Sequence, residues 1–183
     1  MDDPTIDNIY YFDNDPSKPI SAAGVLIYRN HQDKMLCLIQ DHNNLYEDIG
    51  GKIDRVDGQM IETIGREVED ETNGIICSSD IIGRLATAKK IYIPASRYCL
   101  HIIEANEKET MLSKEDFRED VKHIRRTIGW IAREDMARPS TIRYRINFRL
   151  RNKALFDYLK EIEKNMKYST SLFRKYNTSI GSI

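Results

Sequence analysis

At 183 residues the chain is long enough for one domain with a substantial core. Its 40% hydrophobic and 31% charged content reads as a globular, water-soluble protein, and a net charge of -1 excludes any general attraction to nucleic acid or to a membrane surface. No apolar run approaches membrane-spanning length, and Met1-Asp2-Asp3 opens without the basic and apolar regions of a signal peptide. Cys37, Cys77 and Cys99 lack metal-site spacing and cannot all pair, so each is expected as a small core hydrophobe. A reducing, cytoplasmic setting is the default expectation, with no membrane partner.

In chain order, residues 1–19 are polar and punctuated by Pro4, Pro16 and Pro19, and are expected to form an arm packed on the domain. Ser21 to Tyr28 and Met35 to Gln40 read as two buried strands forming a hairpin. His42 to Asp48 lead into a Gly50-Gly51 turn, and the spacing predicts a helix from Gln59 to Thr72 with Gly74 as its stop. Ile81 to Ala88, Lys90 to Ile93 and Arg97 to Ala105 are expected as strands, and Asn106 to Asp120 as a charged surface loop. Arg126 to Ala132 reads as another strand, followed by a short turn or helix at Arg133 to Met136. Ile142, Tyr144, Ile146, Phe148 and Leu150 alternate with polar residues, while Leu155, Tyr158, Leu159 and Ile162 repeat at helical spacing within Asn152 to Met166. The domain is thus expected to span 20–166, with a polar, Ser-rich tail over 167–183. Helices on both sides of a mixed sheet make an α/β class, an α/β/α sandwich.

One stretch carries chemistry: Gly50 to Gly74, GGKIDRVDGQMIETIGREVEDETNG. On a helix, Glu67, Asp70 and Glu71 stand at i, i+3 and i+4, so their carboxylates share one face. Ile61, Ile64 and Val68 mark the adjoining, buried face. Carboxylates crowded in this way repel unless a cation lies between them, and hard divalent ions such as Mg²⁺ take such oxygen ligands. The alternative for such a face is a solvated surface.

The stretch resembles the Nudix box, G-x5-E-x7-R-E-U-x-E-E-x-G-U with U aliphatic. Gly51 and Asp57 match its opening, with Asp for Glu, and Arg66-Glu67-Val68-Glu69-Asp70-Glu71 matches R-E-U-x-E-E, with Asp70 for a Glu. Eight residues rather than seven separate Asp57 from Arg66, an insertion that the loop and first helical turn can absorb. Asn73 enters before Gly74 at the helix end, where Asn and Gly both tolerate the left-handed conformation. The Thr-Asn-Gly ending is similar to that of Nudix proteins of large DNA viruses.

The resemblance implies an enzyme that hydrolyses a pyrophosphate bond in a nucleoside diphosphate linked to another group, using Mg²⁺ or Mn²⁺. Carried over by position, Gly50 (through its carbonyl), Glu67, Asp70 and Glu71 hold metal, and Glu67 doubles as the base. Arg66 orients Glu67, and Lys52 beside Gly51 meets a phosphate; an ordinary surface ion pair is the alternative for Lys52 and Arg66. Asp70, one methylene shorter than Glu, places a direct metal bond in question. A distal carboxylate is also implied, and Glu119 fits its placement, with Glu115 and Asp120 as rivals.

The substrate is less legible. Eleven Arg or Lys against four acids lie between Phe117 and Lys153, interleaved with Trp130, Tyr144 and Phe148. That pattern suits an RNA backbone and stacked bases, hence capped RNA and mRNA decapping. It equally suits arginines on a solvent face with aromatics in the core. A free nucleotide substrate and a non-catalytic Nudix-fold module that binds nucleotide or RNA are the other readings. Oligomeric state leaves no sequence signal.

Overall fold

The computed structural model describes residues 10–29, 34–40, 45–54, 56–116, 119–121, 124–137 and 145–165, with the backbone alone described at 34–40, 114, 119–121, 124–126, 134 and 137. Eleven strands lie among them: β1 (Tyr10–Tyr11), β2 (Pro19–Ile20), β3 (Ala22–Arg29), β4 (Lys34–Gln40), β5 (Leu45–Glu47), β6 (Ile49–Lys52), β7 (Lys89–Ile93), β8 (Tyr98–Glu104), β9 (Glu119–Val121), β10 (Ile124–Ala132) and β11 (Arg145–Ile146). The helices are α1 (Met60–Glu71), α2 (Ser78–Leu85), α3 (Glu107–Thr110), α4 (Arg133–Ala137) and α5, residues 153–165.

β1 and β2 form a small antiparallel ribbon; the other nine strands form one mixed sheet. Its spine runs β11-β5-β4-β3-β8-β7, with β10 on β4 and β6 on β3. β3 pairs parallel with β8, and β11 parallel with β5; the remaining ladders are antiparallel. Because side chains alternate across a strand, β3 and β8 feed two cores. Ala23, Val25, Ile27 and Cys99 face Ile64 and Val68 of α1 and Ile81 and Leu85 of α2. Leu26, Leu100 and Ile102 face the other way, against Met136 of α4 and Leu155 and Leu159 of α5. The result is the expected α/β arrangement, helices covering both faces of a mixed sheet. None of the helices among the described residues is long and apolar enough to cross a membrane.

Several expectations need correction. Residues 81–88 do not form a strand: α2 occupies Ser78–Leu85, with Ile81 and Leu85 buried one turn apart. Gly50 and Gly51 are not a turn but the middle of β6, paired with Gly24 and Ala23 of β3. The loop expected over 106–120 contains α3, a 3₁₀ turn at Lys114–Asp116 and the start of β9. Cys77 is exposed rather than a core residue, whereas Cys99 is buried. In the first nineteen residues, Phe12 stacks on Tyr92 with ring centroids 5.6 Å apart and Tyr92 donates to the Pro19 carbonyl at 3.0 Å, packing the ribbon onto β7. Residues 1–9 and the tail 167–183 lie outside the described residues.

Candidate functional site

The site is built where α1 crosses β6. The helix begins at Gln59, whose N–H donates to Glu62 Oε2 at 2.9 Å, so a first-turn side chain satisfies an otherwise orphan amide. It ends with two left-handed residues, Asn73 (φ 53°) and Gly74 (φ 75°), and Gly74 N donates back to Glu69 O at 2.7 Å. The inserted asparagine is thus absorbed at the C-cap. The Glu69 side chain, the variable position of the motif, accepts from Ser78 N at 2.8 Å and so caps α2.

Glu67 is seated against β6. A Cβ at Gly51 would lie 2.6 Å from Glu67 Oε1 and 2.7 Å from its Cδ, so this carboxylate packs directly on the Gly51 backbone and a larger residue there would displace it. Arg66 Nη1 donates to Glu67 Oε1 at 2.9 Å, while Arg66 Nη2 and Nε reach Asp57 at 3.0 and 3.3 Å. The guanidinium therefore bridges the loop acid to the helix acid. Asp57 raises the proton affinity of Arg66 most, against burial and with help from Glu67; the same bond holds the Asp57 carboxyl below the usual range.

The three acids of the helix face are not equivalent. Glu71 is 8% exposed, one turn beyond Glu67, and its charge is felt by Tyr98 on β8. Asp70 is 68% exposed and comes within 3.8 Å of Arg66. Among the described residues no three His, Cys, Asp or Glu side chains converge into a metal ligand set. Glu67 and Glu71 on α1 and the Gly50 carbonyl on β6 are the oxygen donors that would hold a hard cation. Lys52 is exposed at the end of β6.

Of the distal carboxylates, Glu119 and Asp120 lie on β9 opposite Arg126 and Arg125, and their side chains are outside the described residues. Glu115 is exposed in the preceding 3₁₀ turn. In the basic stretch, Arg133 pairs with Glu163 at 3.2 Å, Arg149 with Asp48 at 3.2 Å, and Lys153 with Asp157. Arg145 and Arg151 are exposed, while residues 118, 122, 138 and 143 lie outside the described residues. Arg29 lies 3.8 Å over the Trp130 ring, and Trp130 Nε1 donates to Leu112 O at 2.9 Å, so one ring face and the indole N–H already have partners.

Sequence reasoning missed a second polar cluster behind β6. Asp48, 1% exposed, accepts from the Tyr98 hydroxyl and from Arg149 Nε. Burial and then Asp48 drive the Tyr98 phenol well above its ordinary value; burial lowers Arg149, but Asp48, Tyr98 and Glu47 outweigh it. The partners lie 50 and 101 residues apart, so no local pattern could have announced them.

No family model matches the chain, and no curated protein matches it in sequence. Solved structures that are similar at a distance include these two. One is from a study of MutT of Aliivibrio salmonicida and Vibrio cholerae, with a TM-score of 0.40, 15% identity, and coverage of 77% of this chain and 92% of that one. The other is a Caenorhabditis elegans Ap4A hydrolase binary complex, with a TM-score of 0.42, 16% identity, and coverage of 82% and 98%.

Proposed function

We propose that the chain is a Nudix-type hydrolase that cleaves the diphosphate of a nucleoside diphosphate linked to another group, with Mg²⁺ or Mn²⁺ as cofactor. The observation that supports this most is the seating of Glu67: a carboxylate pressed on the Gly51 backbone, oriented by Arg66 and followed one turn later by the buried Glu71. Glu67, Glu71 and the Gly50 carbonyl would hold the cation, with the exposed Asp70 at its periphery and Glu119 as the distal carboxylate that the resemblance implies. When bound, such a cation neutralises charge on the phosphoryl oxygens and acidifies the attacking water.

The chain's own residues do the rest. Glu67 accepts the proton of the attacking water, and the bond from Arg66 to Oε1 orients the carboxylate for that role. Asp57 fixes Arg66 in turn, so the orientation of Glu67 reaches back to the loop. Lys52, at the exposed end of β6, offers a positive charge to a phosphate.

The test is phosphate release from a panel of free nucleotides, nucleotide sugars, dinucleotides and capped RNA, with and without chelator. Metal-dependent release from a small nucleotide that Glu67→Gln abolishes supports the proposal. Equal behaviour of wild type and Glu67→Gln refutes it, and binding without turnover would leave a recognition module. Capped RNA cleaved in preference to free cap dinucleotide, with a preference lost at high salt, would move the substrate to RNA.

A further inference from the structure

β6 is four residues, Ile49-Gly50-Gly51-Lys52, and its glycines look opposite ways. Gly51 faces the Glu67 carboxylate. Gly50 faces the Tyr98 hydroxyl: a Cβ there would lie 2.6 Å from that oxygen. Gly24, its partner across the β3–β6 ladder, is bare on the same side, where a Cβ would lie 2.6 Å from Asp48 Oδ2. The phenol of β8 therefore lies across two glycines and reaches Asp48, the residue before Ile49.

Arg149, in the 3₁₀ turn Phe148–Leu150, closes the arrangement. Its Nε donates to Asp48 Oδ1 at 3.2 Å, its Nη2 lies 3.8 Å from Glu47 Oε2, and its guanidinium stacks 4.6 Å from the Tyr98 ring centre. Asn147 adds two bonds, from its backbone N to Tyr46 O at 2.8 Å and from Nδ2 to Glu47 Oε1 at 3.0 Å. Tyr98 is buried with Leu26, Leu100 and Leu150, where exchanging a buried ion pair for well-packed aliphatic side chains is often neutral in stability. What the network adds is direction: bonds from β8 and from the 3₁₀ turn fix Glu47 and Asp48, at the end of β5 and immediately before β6.

We propose that Asp48, Tyr98 and Arg149 are positioning residues that set the height of β6, and through it the Gly50 carbonyl and the seat of Glu67. This rests on the hydrolase reading of the Gly50–Glu71 site. The network touches no substrate; it acts by holding the wall against which Glu67 and the cation are placed.

Mn²⁺ alone is the probe, titrated against the full chain and followed by the spin-resonance signal of the free ion, with far-UV circular dichroism confirming the fold. Tyr98→Phe removes the hydroxyl and keeps the ring, Asp48→Asn keeps the shape and removes the charge, and Arg149→Lys keeps a cation without the fork. The expected result is about tenfold weaker Mn²⁺ binding in folded Tyr98→Phe and Asp48→Asn, with Arg149→Lys between them and wild type. A purely structural role would lower the melting temperature and leave the affinity of the folded protein unchanged; that outcome overturns the proposal. If Tyr98→Phe does not fold, Asp48→Asn and Arg149→Lys carry the same reading. Wild type and Glu67→Gln taking up Mn²⁺ alike, or not at all, would instead sink the hydrolase reading beneath it.

Discussion

Two arginines flank β6, each bonded to a neighbouring pair of acids, and they are built to opposite specifications. Arg66, 37% exposed, links Asp57 and Glu67 on the α1 side; Arg149, 19% exposed, links Asp48 and Glu47 on the other side under a tyrosine ring. Water reaches the first guanidinium more freely than the second, whose partner Asp48 is fully buried. Removing one partner of an exposed pair costs little folding free energy, whereas removing one partner of a buried pair strands a charge. Arg66 therefore serves orientation with little effect on stability, and Arg149 serves both.

The largest effect is expected away from both arginines, at the carboxylate they frame. Glu67→Gln should lower turnover by about a hundredfold or more on whichever panel nucleotide is cleaved, with the melting temperature unmoved. Next comes Arg149→Ala, which leaves Asp48 buried without its cation and should cost about 3–5 kcal/mol in denaturant unfolding. A loss below about 1 kcal/mol there would erase the contrast between the two sides.

The α1 side has its own intolerance of charge, one layer deeper. His101 is fully buried beside Cys99, with sulfur and Nδ1 3.9 Å apart, and burial, with Lys90 adding, pushes its imidazole down to about 4. The folded chain keeps it neutral while the unfolded chain protonates it below the ordinary 6.5. Its contribution is thus complete above that value and is lost as pH falls from there toward 4, by about 3 kcal/mol in all. Unfolding at pH 7.5 and 4.5 should show the decline in wild type and a flatter profile in His101→Leu.

The smallest stability effect is expected at Arg66. Arg66→Lys should change unfolding free energy by less than about 1 kcal/mol, because a screened pair is replaced by a looser one. Turnover should nonetheless fall about tenfold, since Lys cannot fork between Asp57 and Glu67. Equal turnover in Arg66→Lys would show that Glu67 is held by Gly51 alone.

Much of this was legible from residues close in sequence. Ile61, Ile64 and Val68 placed α1 to within a residue at each end, and the carboxylates of the motif sit on that helix as read. β3, β7 and β8 were also marked by their apolar runs. The failures share a cause. Ile81, Ile82 and Leu85 suit a short strand or a helix equally, and only the packing of Ile81 and Leu85 against α1 decides for the helix. Gly50-Gly51 reads locally as a turn; it is extended because Tyr98 and Glu67, on distant elements, fill the space above and below it. The Asp48–Arg149 pair and the exposure of Asp70 are likewise products of assembly, not of pattern.

The outer strand β7 carries Lys89 and Lys90, both exposed, at the far border of the nine-stranded sheet, with the Lys89 ammonium 5.8 Å from the Tyr158 ring centre. Were two molecules to zip together along this border, a pair of ammonium groups would meet on each face of the ladder. Like-charge repulsion therefore discourages fibre-like self-association at a strand that, among the described residues, has β8 as its sheet neighbour on one side and none on the other.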